Sequence, residues 1–104
     1  MADFVPAARI EDVKEGEILA LNIDDVPLAL TRLRGRIVAF GDVCTHDDGP
    51  LAEGEIASDE VICPRHGAHF NLMTGESTFP APTPIPIYEV LVEGDWVKVK
   101  LERR

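Results

Sequence analysis

Apolar residues along the chain occur in short runs that alternate with polar positions and end at turn residues, which is typical of β-strands. The predicted strands are Glu17–Ile23, Pro27–Leu33, Arg36–Gly41, Glu60–Cys63, Ala68–Met73, Glu76–Phe79, Ile87–Val92 and Trp96–Leu101. Arg34-Gly35 predicts a hairpin turn between two of them. No segment of ten or more residues shows helical periodicity, so we expect an all-β fold, an antiparallel sandwich or small barrel.

The length and the proline positions indicate how these strands are organised. A chain of 104 residues is expected to form one domain, residues 1–104, which is long enough to bury a hydrophobic core. Four prolines within residues 80–86 exclude a helix or a central strand there and predict an extended connection.

Charge and cysteine content exclude several classes of function. The net charge of −9 and the pI near 4.6 argue against binding a nucleic-acid backbone or an anionic membrane. Two cysteines are too few for a disulfide framework. No signal peptide and no apolar run of about 18 residues is evident, so we expect a cytoplasmic protein without membrane attachment.

Both cysteines lie in one pattern of metal-ligating residue types. Cys44-Thr45-His46 is followed, after sixteen residues, by Cys63-Pro64-Arg65-His66. Each half pairs a thiolate with an imidazole and follows an apolar run, so two neighbouring loops would bring four ligands together. Two cysteines and two histidines also suit zinc. The alternation of Cys and His instead favours a binuclear iron centre in which the two irons have different ligands.

The strings CTHDDGPL and CPRHGAHFN resemble those of Rieske [2Fe–2S] proteins. The resemblance covers nearly the whole chain and implies the Rieske (ISP-like) antiparallel β-sandwich, with a cluster-binding subdomain inserted at 43–79. It implies one [2Fe–2S] cluster per chain, with Cys44 and Cys63 on one iron and His46 and His66 on the other. It also implies that the proline-rich stretch packs near the cluster.

Within the Rieske proteins, the residues favour the soluble, low-potential branch. Subunits of cytochrome bc complexes carry an extra cysteine in each ligand loop, where this chain has Asp48 or Gly49 and Arg65. They also carry a hydroxyl pair that bonds the sulfurs, where this chain has Ala68 and Phe70. Since such bonds raise the potential, we expect a reduction potential toward the low end of the Rieske range, about −150 mV.

The chain therefore resembles soluble Rieske ferredoxins, which pass electrons from a flavin-containing NAD(P)H reductase to a terminal oxygenase. We expect a monomeric one-electron carrier that is not an enzyme by itself. Two alternatives stay open: the small Rieske-like subunit of a nitrite reductase, and an accessory ferredoxin of another redox or iron–sulfur pathway.

Other residues near the motif have plainer interpretations. His69 is expected to be an exposed or locally hydrogen-bonded side chain rather than a ligand. The acidic residues Glu53, Glu55, Asp59 and Glu60 predict a solvated face, with docking of a basic reductase as a hypothesis. Four apolar residues could form a collar that excludes water and docks a partner, or could belong to ordinary packing under the loops: Pro50, Leu51, Phe79 and Pro82.

Overall fold

The computed structural model describes residues 4–43, 50–64, 67–78 and 84–103, and their regular structure is almost entirely β-strand. A short 3₁₀ turn spans Ile10–Asp12. The strands are β1 (Phe4–Arg9), β2 (Leu19–Ile23), β3 (Val26–Leu33), β4 (Arg36–Gly41), β5 (Glu55–Ala57), β6 (Glu60–Ile62), β7 (His69–Asn71), β8 (Ile87–Glu93) and β9 (Trp96–Arg103).

The strands form a large sheet and a small one in the part of the chain that is described. The large sheet has the order β1-β9-β8-β4-β3-β2, and the small sheet has the order β5-β6-β7. Neighbouring strands in both sheets are antiparallel. The predicted all-β antiparallel class is confirmed. The small sheet falls within the range 43–79; that this range forms a subdomain stays a prediction.

Strands β3 and β4 are buried on both faces, which creates two cores. Ala29 lies opposite Phe40, and both pack in a core between the two sheets, the inter-sheet core. The next pair, Leu30 and Ala39, points to the other face and packs in the barrel core. The barrel core also contains Val97 of β9, which is distant from β3 in the strand order. The large sheet must therefore curl toward a barrel.

The turn between β3 and β4 is stabilised by a distant carboxylate. Arg34 and Gly35 have φ of 51° and 81°, the left-handed values that a two-residue type I′ hairpin requires. The Glu15 carboxylate accepts hydrogen bonds from the amides of Arg34 at 2.6 Å and Gly35 at 3.0 Å. The predicted hairpin turn is confirmed, and Glu15 satisfies amides that the turn leaves free.

Most predicted strands are present, but three details differ. Strands β1 and β5 had no predicted counterpart. The predicted strand at Glu76–Phe79 does not form over 76–78, where only an isolated bridge joins Ser77 to Phe70. Phe79 lies outside the described residues. The positive φ of 86° at Gly75 directs the chain into a turn that the Asn71 side chain stabilises, so an extended ladder cannot begin there.

Candidate metal centre

Of the four predicted ligands, the structure describes Cys63. Cys44, His46 and His66 lie outside the described residues. Cys63 directly follows β6, and its relative exposure is 1%. Its thiol forms no disulfide within the described part of the chain. A buried free cysteine at the end of a strand suits a thiolate ligand that is shielded from water.

Backbone hydrogen bonds close the second ligand loop immediately after Cys63. The amide of Cys63 donates to the carbonyl oxygen of Ala68 at 2.8 Å, and the amide of Gly67 donates to the carbonyl oxygen of Cys63 at 3.1 Å. Gly67 has φ of 76°, which favours glycine at this reversal. The two ends of the second loop are thus held close together between β6 and β7, and His66 lies between them in sequence.

The first ligand loop departs from the end of β4, where the chain is held on both sides. The amide of Gly41 donates to the carbonyl oxygen of Pro86 at 2.9 Å, and the amide of Asp42 donates to that of Pro27 at 3.2 Å. A Cβ at Gly41 would lie within 2.7 Å of the Pro86 ring, so the approach needs glycine. The point at which the chain enters the Cys44 segment is therefore well fixed.

The side chain of Asp42 spans the base of this first loop. Its Oδ1 accepts a hydrogen bond from the amide of Ala52 at 2.7 Å, and the amide of Leu51 donates to the carboxylate too. Burial raises the pKa of the Asp42 carboxyl above its ordinary value, although these two amide bonds oppose the rise. The carboxylate thus connects the end of β4, where the first loop begins, to Ala52, where the loop has returned.

Packing brings the bases of the two ligand loops together. Leu51, where the first loop returns, and Cys63, where the second begins, are both fully or nearly fully buried in the inter-sheet core. A Cβ at Gly54 would collide with the carbonyl oxygen of Ile62, the residue before Cys63. Leu51 is fully buried in this core, which agrees with the packing interpretation, and its part in an apolar collar stays a prediction. The described residues at the bases of the two loops, Leu51 and Cys63, thus lie in one core.

His69 has a local partner on the small sheet. Its Nδ1 lies 2.9 Å from Oε1 of Glu60 on the neighbouring strand. Its amide donates to the Thr78 hydroxyl at 2.8 Å, and its carbonyl oxygen accepts from the Thr78 amide at 2.9 Å. The expected local hydrogen bonding of His69 is confirmed. Within the described residues, no group of three or more His, Cys, Asp or Glu side chains forms a metal-binding cluster.

Comparison with known proteins decides the family. A model of the Rieske [2Fe–2S] domain matches residues 3–89. The chain belongs to the Rieske [2Fe–2S] domain family.

Relatives of this Rieske chain cover almost its full length. The chain is 39% identical over 98 residues, 91% of both chains, to the ferredoxin subunit of the 3-phenylpropionate/cinnamic acid dioxygenase of Escherichia coli strain K12. It matches a chain in a solved complex of reduced oxygenase and oxidized ferredoxin from carbazole 1,9a-dioxygenase, with a TM-score of 0.89 and 32% identity. That match covers 97% of this chain and 95% of the other. A nitrite reductase small subunit is only 16% identical at a TM-score of 0.83, covering 93% and 97%, and shares the fold alone.

The chain is a Rieske-type ferredoxin that carries a [2Fe–2S] cluster and transfers electrons, as the family and these relatives show. The donor set of the motif suits this cluster, because two thiolates balance the charge of two ferric ions and two sulfides. In the part of the Rieske ferredoxin that is described, no helix is long and apolar enough to cross a membrane.

Proposed function

We propose that this Rieske ferredoxin carries single electrons from an NAD(P)H-dependent flavin reductase to a terminal oxygenase. The observation that carries the proposal is the 32% identity over 97% of the chain to a component of an oxygenase–ferredoxin complex. The 39% identical relative, itself a dioxygenase ferredoxin subunit, supports it independently.

Cys44 and Cys63 are proposed as thiolate ligands of one iron, and His46 and His66 as imidazole ligands of the other. The support is the spacing of the motif, the burial of Cys63, and the packing of Leu51 against the same core. Residues 43–79 are proposed as the cluster-binding subdomain. With neutral imidazoles on one iron, the oxidised centre is less negative than an all-cysteine cluster and accepts an electron more readily.

The acidic residues near the ligand motif favour a redox partner with a basic surface. Residues 42–86 contain eight acidic side chains and one basic side chain, Arg65, so most of the net charge of −9 lies there. An acidic surface around a redox centre attracts a partner with a basic surface and speeds encounter. The protein is proposed to act as a monomer in the cytoplasm, since a carrier must leave one partner before it reaches the next.

Rapid mixing of the reduced holoprotein with an oxidised oxygenase tests the proposed function. The oxygenase of the E. coli 3-phenylpropionate dioxygenase system serves as acceptor, with that system's own ferredoxin subunit as positive control. We expect the reduced cluster spectrum to disappear with a rate that rises with oxygenase concentration. A protein with an intact cluster that transfers no electron to this or to a naphthalene dioxygenase oxygenase would contradict the proposal.

A further inference from the structure

The described residues at the bases of the two ligand loops differ in their backbone hydrogen bonds. The second loop is closed by the bonds from Cys63 to Ala68 and from Gly67 to Cys63. Among the described residues, no backbone–backbone hydrogen bond joins the departing residues 41–43 to the returning residues 50–52. The first loop is also longer in sequence, and a side chain makes the bond that joins the two described sides of its base.

The carboxylate of Asp42 supplies that connection. Asp42 stands directly after β4, and its Oδ1 accepts from the amide of Ala52 at 2.7 Å, ten residues further along the chain. The Leu51 amide donates to the same carboxylate. An ionised carboxylate can accept several bonds, and hydrogen bonds to a charged acceptor are stronger than those between neutral groups.

Both residues that the carboxylate connects are anchored elsewhere. The amide of Asp42 is bonded to the carbonyl oxygen of Pro27 on β3. Leu51 is fully buried in the inter-sheet core, next in sequence to the Ala52 amide. The Asp42 side chain therefore joins two fixed points, and a change there would release the loop while leaving both anchors in place.

We propose that Asp42 is a positioning residue: its carboxylate closes the base of the 42–52 loop and so holds the segment bearing Cys44 and His46 for ligation. This inference rests on the proposed ligand set. Asp42 acts through the backbone amides of Leu51 and Ala52 and is not itself a ligand. Its loss would therefore speed the release of the cluster without unfolding the sheets.

The test compares Asp42→Ala, Asp42→Asn and Glu53→Ala as purified holoproteins. Glu53 is an exposed acid next to Ala52, so its removal changes the same charge without removing the closure. Cluster loss is followed by visible absorption in the presence of an iron chelator, and far-UV circular dichroism reports in parallel whether the sheets stay folded. EPR of the reduced form reports on the ligand environment of the irons.

We expect Asp42→Ala to lose its cluster at least roughly tenfold faster than wild type, the effect of losing a bond to a charged group. The β-sheet signal should persist during the loss, and the EPR lines should broaden. Asp42→Asn, whose amide oxygen retains an acceptor, should be intermediate. Glu53→Ala should stay within about twofold of wild type, since exposed charges contribute little.

Equal rates for Asp42→Ala and Glu53→Ala would overturn the proposal, as would cluster loss that only accompanies unfolding. Should Asp42→Ala fail to fold, the comparison of Asp42→Asn with Glu53→Gln decides in the same way. These readouts need no redox partner, so their failure is distinct from failure of electron transfer to an oxygenase. An unchanged spectrum in Cys44→Ser would instead refute the ligand set.

Discussion

The amide of Cys63 donates to the carbonyl oxygen of Ala68 at 2.8 Å, so the chain that leaves β6 reverses within five residues and enters β7. This bond fixes a buried thiol at the exit of β6, at one end of the small sheet. Leu51, where the first loop returns, packs in the same inter-sheet core as Cys63. The inter-sheet core thus joins the described bases of two loops that are distant in sequence.

Removal of the buried thiol is expected to abolish the cluster. Cys63→Ser should give a colourless or rapidly bleached protein, because a serine oxygen is a poorer ligand for iron–sulfur clusters than a thiolate. His69→Asn is the matched control, since His69 is paired with Glu60 and is not proposed as a ligand. Iron and sulfide analysis with visible absorption measures both. Loss of the cluster in His69→Asn with retention in Cys63→Ser would refute the assignment.

Phe70 is expected to dominate the stability of the inter-sheet core. It is fully buried in that core and lies opposite Val61 on β6. Phe70→Ala should lower the free energy of unfolding by about 3–5 kcal/mol, because it removes a large buried side chain and leaves a cavity. Leu91→Ala, at a residue that is 39% exposed, should cost less than about 1 kcal/mol. Urea unfolding followed by circular dichroism compares them; equal losses would contradict the prediction.

Glu15 is expected to give stability that depends on pH. Hydrogen bonds from the amides of Gly35 and Arg34 hold the pKa of the Glu15 carboxyl below its ordinary value, and the nearby charge of Arg32 acts in the same direction. A lowered folded-state pKa means that the ionised carboxylate stabilises the fold above the unfolded-state pKa. That contribution disappears as pH falls through the folded-state pKa.

Glu15→Gln should therefore be less stable than wild type at pH 7. The difference should shrink as pH falls below the ordinary carboxyl pKa of about 4.3 and vanish below the lowered folded-state pKa. Glu17→Gln, an equal charge change at an exposed neighbour, is the control. Thermal unfolding midpoints across this range provide the measurement. A difference between wild type and Glu15→Gln that stays constant with pH would show that the carboxylate charge does not act in this way.

Reversal of charge at Glu55 is expected to slow encounter with a basic redox partner. Asp59 and Glu60 of the acidic stretch are engaged by Arg34 and His69 respectively, whereas Glu55 is exposed on the small sheet. At low salt, Glu55→Lys should lower the association rate constant roughly several-fold, and the effect should shrink as salt screens the charges.

The control for this experiment is Asp12→Lys, at an exposed residue of the 3₁₀ turn. The Ile10 amide of that turn donates to the carbonyl oxygen of Asp95, in the turn at the far end of β8. The β8 turn lies roughly 20 Å along the strand from Ile87, whose neighbour Pro86 packs at the start of the first ligand loop. Stopped-flow mixing with the reductase or oxygenase at several ionic strengths measures both variants. Equal slowing by Glu55→Lys and Asp12→Lys would mean that net charge, and not this surface, sets the rate.

The sequence predicted the long strands well because their burial is periodic or continuous. Arg36–Gly41 was predicted with its observed bounds, because a hairpin turn precedes a continuous apolar run. In the structure, the last four residues of this strand are buried. Strand β1 was missed because Phe4–Arg9 contains a proline and lacks alternation; its pairing with β9 includes an irregularity between Pro6 and Ala8. Strand β5 is three residues long and depends on pairing with β6.

The ligand motif could be proposed from the spacing of its cysteines and histidines together with the family resemblance, whereas the residues that support it could not. Asp42 has no motif of its own, and only its place between a strand end and Cys44 could have indicated a role. Glu15 acts on a turn twenty residues away in sequence, a relationship that only folding creates. Side-chain bonds to distant backbone amides depend on tertiary contacts, so local pattern cannot reveal them.

The central claim is that this chain is a low-potential Rieske electron carrier, and a potentiometric titration of the purified protein monitored by EPR tests it most directly. We predict a one-electron transition near −150 mV and, in the reduced state, a low average g value, because histidine ligates one iron. A potential above about +100 mV would contradict the low-potential assignment and favour a high-potential partner. A colourless protein with bound zinc would contradict the account as a whole.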